Sequence, residues 1–395
     1  MWSSDDNLFL LEGEPGVGKT TVSHTIIKAS LQLNKRCLIA APTHKALSVL
    51  ESKLLNLKNK VGFSTVQSFL DYKKTYDFNK GVAIFKSPHF DRIKTELANK
   101  FDLIFIDECS MLTADMYEKL KALTSINKDL KIILCGDRKQ LNPVDESINP
   151  LFHQLIPFKL TEIVRQAKDN PILELVRNHN EILSFKQNNL TNEKKGYAFF
   201  VKEDVLDSFI TLLAQRDDMV YLAYSNKACD NVNSAVRTKK YGDAAPTLVV
   251  GESIIMKHSK DFKTGEIRVI TKITPNLTLN LNDVGMSISY MRVFFDNGLN
   301  CAIPTNKQEL NNLISEVAKL AKAKKIHWVR YFEIAEYFQE YTYKYAITTH
   351  SSQGSTYFST IIDLKDMMIN SDKEERTRLL YTAVSRASDL CVILY

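Results

Sequence analysis

The segment Gly13-Glu14-Pro15-Gly16-Val17-Gly18-Lys19-Thr20 sets three glycines ahead of a lysine and a hydroxyl. Glycines at this spacing let successive backbone N–H groups converge on phosphate oxygens without obstruction by side chains. Lys19 is then placed to reach the β- and γ-phosphates of a nucleotide, and Thr20 to ligate Mg2+. Further along, the apolar run Leu103-Ile104-Phe105-Ile106 delivers two adjacent carboxylates, Asp107 and Glu108. Asp107 can hold the cation, directly or through water, while Glu108 orients and deprotonates an attacking water. A third run, Ile132-Ile133-Leu134-Cys135, empties into Gly136-Asp137-Arg138-Lys139-Gln140, where Gln140 can bond the γ-phosphate or the water. The glycine-rich loop alone fits kinases, GTPases, sulfotransferases and motors. A carboxylate able to activate water narrows the chemistry to nucleoside triphosphate hydrolysis.

These groups need a sheet to position them. Leu8-Phe9-Leu10-Leu11, Arg36-Cys37-Leu38-Ile39-Ala40, Leu103–Ile106 and Lys131-Ile132-Ile133-Leu134-Cys135 are continuously apolar, the pattern of parallel strands covered on both faces. Helical patterns over 20–33 and 114–126 alternate with them, which predicts an α/β doubly wound domain with its ligands at the strand C-termini. A second strand set begins at 219–224 and resumes at 345–348, 360–363 and 390–394. Between them, residues 249–340 differ in texture. Leu277, Leu279 and Leu281 alternate with period two, as do Ile288 and Tyr290, which predicts small antiparallel strands. Leu310, Leu313, Ile314, Val317, Leu320 and Ala321 then recur at helical spacing, with Lys322, Lys324 and Lys325 at the dipole-favoured end. A smaller insertion is expected at about 71–95, with 78–82 turning a short hairpin.

The chain has 395 residues, 44% of them hydrophobic and 25% charged, a balance that excludes intrinsic disorder. Lysine and arginine exceed aspartate and glutamate by six, which permits a polyanionic partner without demanding one. No apolar run is long enough to span a membrane, and Met1-Trp2-Ser3-Ser4-Asp5-Asp6 has no secretory pattern. The six cysteines form no C-x-x-C pair, and they read as buried small hydrophobes of a reducing cytoplasm.

Taken in order, the motifs resemble those of superfamily-one DNA helicases, in the branch of RecD and Dda, over nearly the whole chain. Ala40-Ala41-Pro42-Thr43-His44-Lys45-Ala46 matches the segment that touches single-stranded DNA, and Asp107-Glu108-Cys109-Ser110-Met111 matches D-E-x-S-M. The run from Gly136 to Val144 matches G-D-x-x-Q-L-x-P-V, and Leu160-Thr161-Glu162-Ile163-Val164-Arg165 matches L-T-E-x-x-R. Thr348-Thr349-His350-Ser351-Ser352-Gln353-Gly354 matches T-x-H-x-x-Q-G, and Tyr381-Thr382-Ala383-Val384-Ser385-Arg386-Ala387 matches Y-T-A-x-S-R-A. Two departures stand out. Gln67 takes the place of the histidine in a T-x-H-S stretch, and no Gln that could read adenine precedes Gly13.

The resemblance implies two tandem RecA-like domains, residues 1–155 and 156–395. It implies a small hairpin insertion in the first, acting as a strand-separating wedge, and an SH3-like barrel in the second. It also implies ATP and Mg2+ as cofactors. Lys19, Asp107, Glu108 and Gln140 then serve catalysis, with Arg165 and Arg386 reaching across a cleft as arginine fingers, and Gly354 joins the P-loop at the nucleotide. Pro42, Thr43, His44, Lys45, Phe63, Thr349, His350 and Gln353 become candidates for the nucleic-acid track, with Phe63 and Phe69 as stacking platforms. The expected activity is ATP-dependent 5′–3′ unwinding on single-strand tails and forks, in the cytoplasm, or in a host's cytoplasm if phage-encoded. Replication or recombination proteins would be its partners. A translocase that needs a partner to unwind, and a catalytically inactive binding subunit, are the alternatives.

Overall fold

The computed structural model describes the chain apart from residues 78–81, 144–145, 147–148, 162–169, 183–186, 192–194, 258 and 260. The strands of its first half are β1 (Leu8–Gly13), β2 (Cys37–Ala41), β3 (Gly62–Thr65), β4 (Lys73–Asp77), β5 (Val82–Lys86), β6 (Leu103–Ile106), β7 (Lys131–Gly136) and β8 (Pro157–Leu160). Six of them form one parallel sheet in the order β3-β2-β6-β7-β1-β8. The four continuous apolar runs are its buried strands. Every side chain of β6 is sealed from solvent, worth about 2 kcal/mol apiece at about 25 cal/mol per Å2. β8 pairs with β1, so the first sheet runs past the expected boundary at residue 155.

The second half holds β9 (Asn189–Leu190), β10 (Gly196–Phe200), β11 (Met219–Ala223), β12 (Ser253–Met256), β13 (Ile267–Leu281), β14 (Met286–Phe295), β15 (Asn300–Pro304), β16 (Tyr341–Tyr343), β17 (Ala346–Thr348), β18 (Tyr357–Asp363) and β19 (Ala387–Leu394). A second six-stranded sheet has the order β17-β11-β18-β19-β10-β9, parallel except for β9. Both sheets fall in one compact unit made of Met1–Lys73, Lys86–Val232 and Tyr345–Tyr395.

The other unit joins Lys74–Phe85 with Asn233–Lys344. Its antiparallel sheet runs β15-β14-β13-β12-β16 around a core that includes Ile254, Phe262, Ile270, Val293 and Phe295. The alternation around 277–290 belongs to the long β13–β14 ribbon, and the amphipathic pattern becomes the helix Lys307–Lys322. Leu313 and Val317 of that helix pack with Leu281, Ile288 and Tyr290 of the ribbon. β4 and β5 form a two-stranded sheet, and Lys74 pairs with Glu336 at 2.6 Å inside the same unit. The turn expected over 78–82 falls on residues outside the described part, save Val82, where β5 begins. No helix among the described residues is long and apolar enough to cross a membrane.

Candidate active site

β1, β6 and β7 are neighbours in the first sheet, so their C-terminal ends bring the chemistry-bearing residues together. β1 ends at Gly13, and the loop turns through Gly16 at φ +85° and Gly18 at φ +82°, backbone that L side chains rarely adopt. The helix Lys19–Gln32 starts at Gly18 with no side-chain cap and no acidic residue in its first turn. Its leading N–H groups and dipole are therefore available to an anion. By contrast, Thr43 caps the helix His44–Lys53 and Asp372 caps the helix Lys373–Val384. The Lys19 ammonium donates to the carbonyl oxygens of Gly13 at 2.5 Å and Glu14 at 3.1 Å, holding it over the loop.

Asp107 and Glu108 follow β6. Glu108 sits in left-handed backbone at φ 53°, ψ 41°, and the turn Cys109–Met111 follows at once. That conformation costs a non-glycine residue about 1–2 kcal/mol. Gly136 makes room for the turn, since a Cβ there would lie 2.6 Å from Cys109 Sγ and 3.2 Å from its backbone nitrogen. Burial, then the neighbouring Glu108 charge, push the Asp107 carboxyl up to about 6, and Lys19 opposes the shift. Lys19, Thr20, Asp107, Glu108, Gln140, Gly354, Ser355 and Arg386 line one cleft of about 190 Å3. Gln140 is buried, and its Oε1 has no partner among the described residues. A buried carbonyl oxygen left unbonded is costly unless a ligand or water meets it.

Cation binding fits the donor set. Thr20 and Asp107 supply hard oxygens in this cleft, and Mg2+ takes few protein ligands because it shares substrate phosphates and water. Among the described residues there is no group of three His, Cys, Asp or Glu able to hold a metal. On the other side of the P-loop, Val17, Leu160, Leu173 and Val176 form apolar walls of a second cleft of about 340 Å3, edged by Glu12, Arg138, Lys139 and Arg177.

The second sheet contributes Arg386 from just beyond the helix Lys373–Val384. Its guanidinium donates to Thr382 O, Ser355 O and Ser385 Oγ at 3.0–3.2 Å, all in its own half of the chain. Gly354, at φ +73°, stands against Ala46, so the loop after β17 meets the start of the helix His44–Lys53. The segment Asp137–Leu141 is gripped from the second half by three side chains. Tyr381 donates to Asp137, Arg378 donates to the carbonyls of Arg138 and Gln140, and Gln353 donates to Leu141 O.

The nucleic-acid candidates have varied placements. Pro42 is buried, and Thr43 spends its hydroxyl on the N–H of Ala46. His44 begins the helix that Thr43 caps. Lys45 donates to the Tyr357 hydroxyl at 3.2 Å and lies 5.7 Å from the centre of its ring. Phe63 is half-buried against the first-sheet core, and Phe69 is buried within it beside Phe101, so core packing accounts for both rings. Thr349 is buried and donates to Ala223 O. His350 lies 3.4 Å from Glu375, and burial lowers the pKa of its ring while Glu375 opposes that shift. Among the described residues, Leu141, Asn142, Pro143 and His350 share a cleft with Glu146, Asp372, Glu374 and Glu375. Arg165 and Val144 lie outside the described residues.

Residues 3–146 match the family model of an AAA domain, and residues 343–394 match that of the UvrD-like helicase C-terminal domain. The first spans the P-loop, both carboxylates and Gln140; the second spans Gly354 and Arg386. An uncharacterised protein of Acanthamoeba polyphaga mimivirus is 25% identical over 97% of this chain and 94% of its own length. The ATP-dependent DNA helicase Dda of Enterobacteria phage T4 is 29% identical over 65% of this chain, a match spanning 57% of Dda. The RecBCD enzyme subunit RecD of Buchnera aphidicola subsp. Schizaphis graminum is 24% identical over 96% of this chain and 69% of its own. The chain is thus similar, along most of its length, to superfamily-one helicases of the RecD and Dda branch. A solved structure of Pif1 helicases at forked duplex DNA has the same fold, with a TM-score of 0.53 and 18% identity over 98% of this chain and 88% of that one.

The residues of this site that sequence reasoning missed are Asp137, Arg378, Tyr381 and Tyr357. Tyr381 and Asp137 lie inside quoted motifs, so their positions were visible while their partnership was not. Arg378 bonds backbone carbonyls, which leave no trace in residue types.

Proposed function

We propose that the chain is an ATP-dependent motor that translocates along single-stranded DNA, 5′ to 3′, and separates duplex strands at forks. The observation that carries this reading is the single cleft shared by Lys19, Thr20, Asp107, Glu108 and Gln140 from the first sheet and Arg386 from the second half. ATP binding draws Lys19 from the Gly13 and Glu14 carbonyls onto the phosphates, beside the uncapped helix start. The Thr20 hydroxyl and Asp107 carboxylate would hold Mg2+, which would supply charge neutralisation at the phosphate oxygens. Glu108 takes the proton of the attacking water, and Gln140 Oε1 accepts a hydrogen bond from that water. Arg386 donates to the γ-phosphoryl oxygens, where charge spreads in the transition state. Arg165 is assigned a second finger by the motif match alone. The apolar slot beside the P-loop suits the base, held by Val17, Leu160 and Leu173.

The five-stranded inserted sheet is read as an SH3-like clamp and the β4–β5 hairpin as the wedge. His350 and Lys45 are the side chains assigned to DNA phosphates by the motif match, each following shortly after a strand of its own sheet. Deleting residues 79–82 is expected to abolish unwinding and spare DNA-stimulated hydrolysis; undiminished unwinding refutes the wedge. The deciding assay measures ATP hydrolysis with and without single-stranded DNA, beside unwinding of 5′-tailed and 3′-tailed duplexes. Hydrolysis that DNA does not stimulate would refute the reading as a whole.

A further inference from the structure

The side chain of Gln140 does not hold itself in place. Its carbonyl oxygen is buried and unpartnered among the described residues, so its aim depends on the backbone of the loop that carries it. That loop is held from two sides. Toward the P-loop, Arg138 pairs with Glu12 at 2.6 Å and Lys139 with Glu14 at 2.7 Å. Toward the second half of the chain, the grip passes through the helix Lys373–Val384. Arg378 spends one nitrogen, Nη1, on both the Arg138 and Gln140 carbonyls and fastens Nη2 to Glu374, one turn earlier, at 3.0 Å. Tyr381 lies three residues on, on the same face of the helix, and its fully buried hydroxyl donates to Asp137. The ring of His179 packs edge-on against Tyr381 at 4.9 Å, which fixes the phenol. Two residues past the end of this helix stands Arg386, in the nucleotide cleft.

We propose that Arg378 and Tyr381 are positioning residues, which set Gln140 against the reacting water and tie it, through one rigid helix, to Arg386. The inference rests on the hydrolytic reading above. Gln140 and Arg386 come from different sheets, yet the contacts make them neighbours on a common support. A shift of the second sheet that withdraws Arg386 also pulls the Gln140 loop by its carbonyls. Water positioning and charge stabilisation are then switched on together, and neither group is left to act on ATP alone.

Simple adhesion between the two halves would also use these bonds, so the test must separate adhesion from positioning. Steady-state ATP hydrolysis by the full chain, with oligothymidylate as the DNA probe, is compared for Arg378→Ala, Arg378→Lys, Tyr381→Phe, Gln140→Ala and the Arg378→Ala/Gln140→Ala double variant. Arg378→Ala and Tyr381→Phe are expected to lower kcat by about ten- to a hundredfold, as small misplacements of catalytic groups do. KM for ATP should stay within about threefold, and the double variant should be no slower than Gln140→Ala. Arg378→Lys should recover part of the loss. Additive losses, or a loss confined to KM, overturn the proposal.

Amide hydrogen exchange of residues 137–141 supplies a readout that does not need turnover. Exchange about tenfold faster in both variants is expected, and unchanged protection overturns the proposal. If Tyr381→Phe fails to fold, the partly exposed Arg378 carries the test alone. Absence of hydrolysis in the unaltered chain would overturn the hydrolytic reading, and with it the task of Gln140. Exchange would still decide whether the two side chains hold the loop.

Discussion

Tyr381 hydrogen-bonds to Asp137 where both side chains are shut away from solvent, joining the second-half helix to the loop after β7. Burial raises the Asp137 carboxyl above its ordinary value, while Lys19 and the Tyr381 hydroxyl favour its charged form. Asp137→Ala leaves the phenol buried with no acceptor and is expected to cost about 1–3 kcal/mol. Asp137→Asn keeps an acceptor and should cost less. Denaturant midpoints of the two variants check the order; equal midpoints would show that the bond carries no stability.

Glu108 exchanges stability for chemistry. Its left-handed backbone favours glycine, so Glu108→Gly should raise stability by about 0.5–1 kcal/mol while eliminating turnover. Glu108→Gln keeps the strain and gains nothing, yet should cut turnover about 10²–10⁴-fold with nucleotide binding intact. Unfolding curves beside nucleotide titrations separate the two effects. Near-normal turnover in Glu108→Gln would remove its role as base.

Gly136 guards that geometry from the next strand. Gly136→Ala brings a methyl group to 2.6 Å from Cys109 Sγ and displaces the turn that fixes Glu108. The expected result is a kcat about tenfold lower or worse, with ATP affinity little changed. Adding Cys109→Ala relieves the closest contact and should restore part of the rate. No recovery would mean that the backbone contacts at 3.2 and 3.3 Å dominate.

Asp102 gives a pH dependence away from the site. Its hydrogen bond with the Arg36 guanidinium, supported by the Arg36 N–H at 2.7 Å, holds its carboxyl below the ordinary value. A depressed folded pKa means that the stabilisation is full above the unfolded value near 3.8 and is lost as pH falls through the folded one. Arg36 is more than half exposed, so Asp102→Asn should cost only about 0.5–1 kcal/mol at pH 7. The difference from the unaltered chain should shrink as pH falls below the unfolded value and vanish below the lower, folded one. A difference that persists there would assign the effect to packing.

The legible part of the molecule was its most apolar part. β6 matched its expected span residue for residue, and β1, β2 and β7 did so within a residue or two, because strands buried on both faces carry continuous hydrophobic runs. β8 escaped notice because Phe158 and Lys159 face solvent on an edge strand. That Lys19, Asp107, Glu108 and Gln140 would gather in one cleft was legible because each stands in the segment that follows a strand of the first sheet. The hydroxyl of Thr43 bonds a helix N–H with the same chemistry it would use on a phosphate, and residue type cannot tell those fates apart. Likewise an aromatic ring such as Phe63 serves a core or a stacking platform equally well, and only its neighbours decide.

The order in which the strands appear along the chain sets a timetable for synthesis. The parallel sheet of β1 to β8 draws on one stretch of chain interrupted only by the β4–β5 pair, so it can consolidate while the remainder is still being made. The pair itself belongs with Asn233–Lys344 and must wait, unsupported, until that segment emerges. The second sheet waits longer still. β10 and β11 are translated before the insertion, yet both require β18 or β19, which follow it. Refolding should therefore proceed in at least two kinetic steps, with an ATP site that is half built, holding its P-loop but not Arg386, as the long-lived species between them.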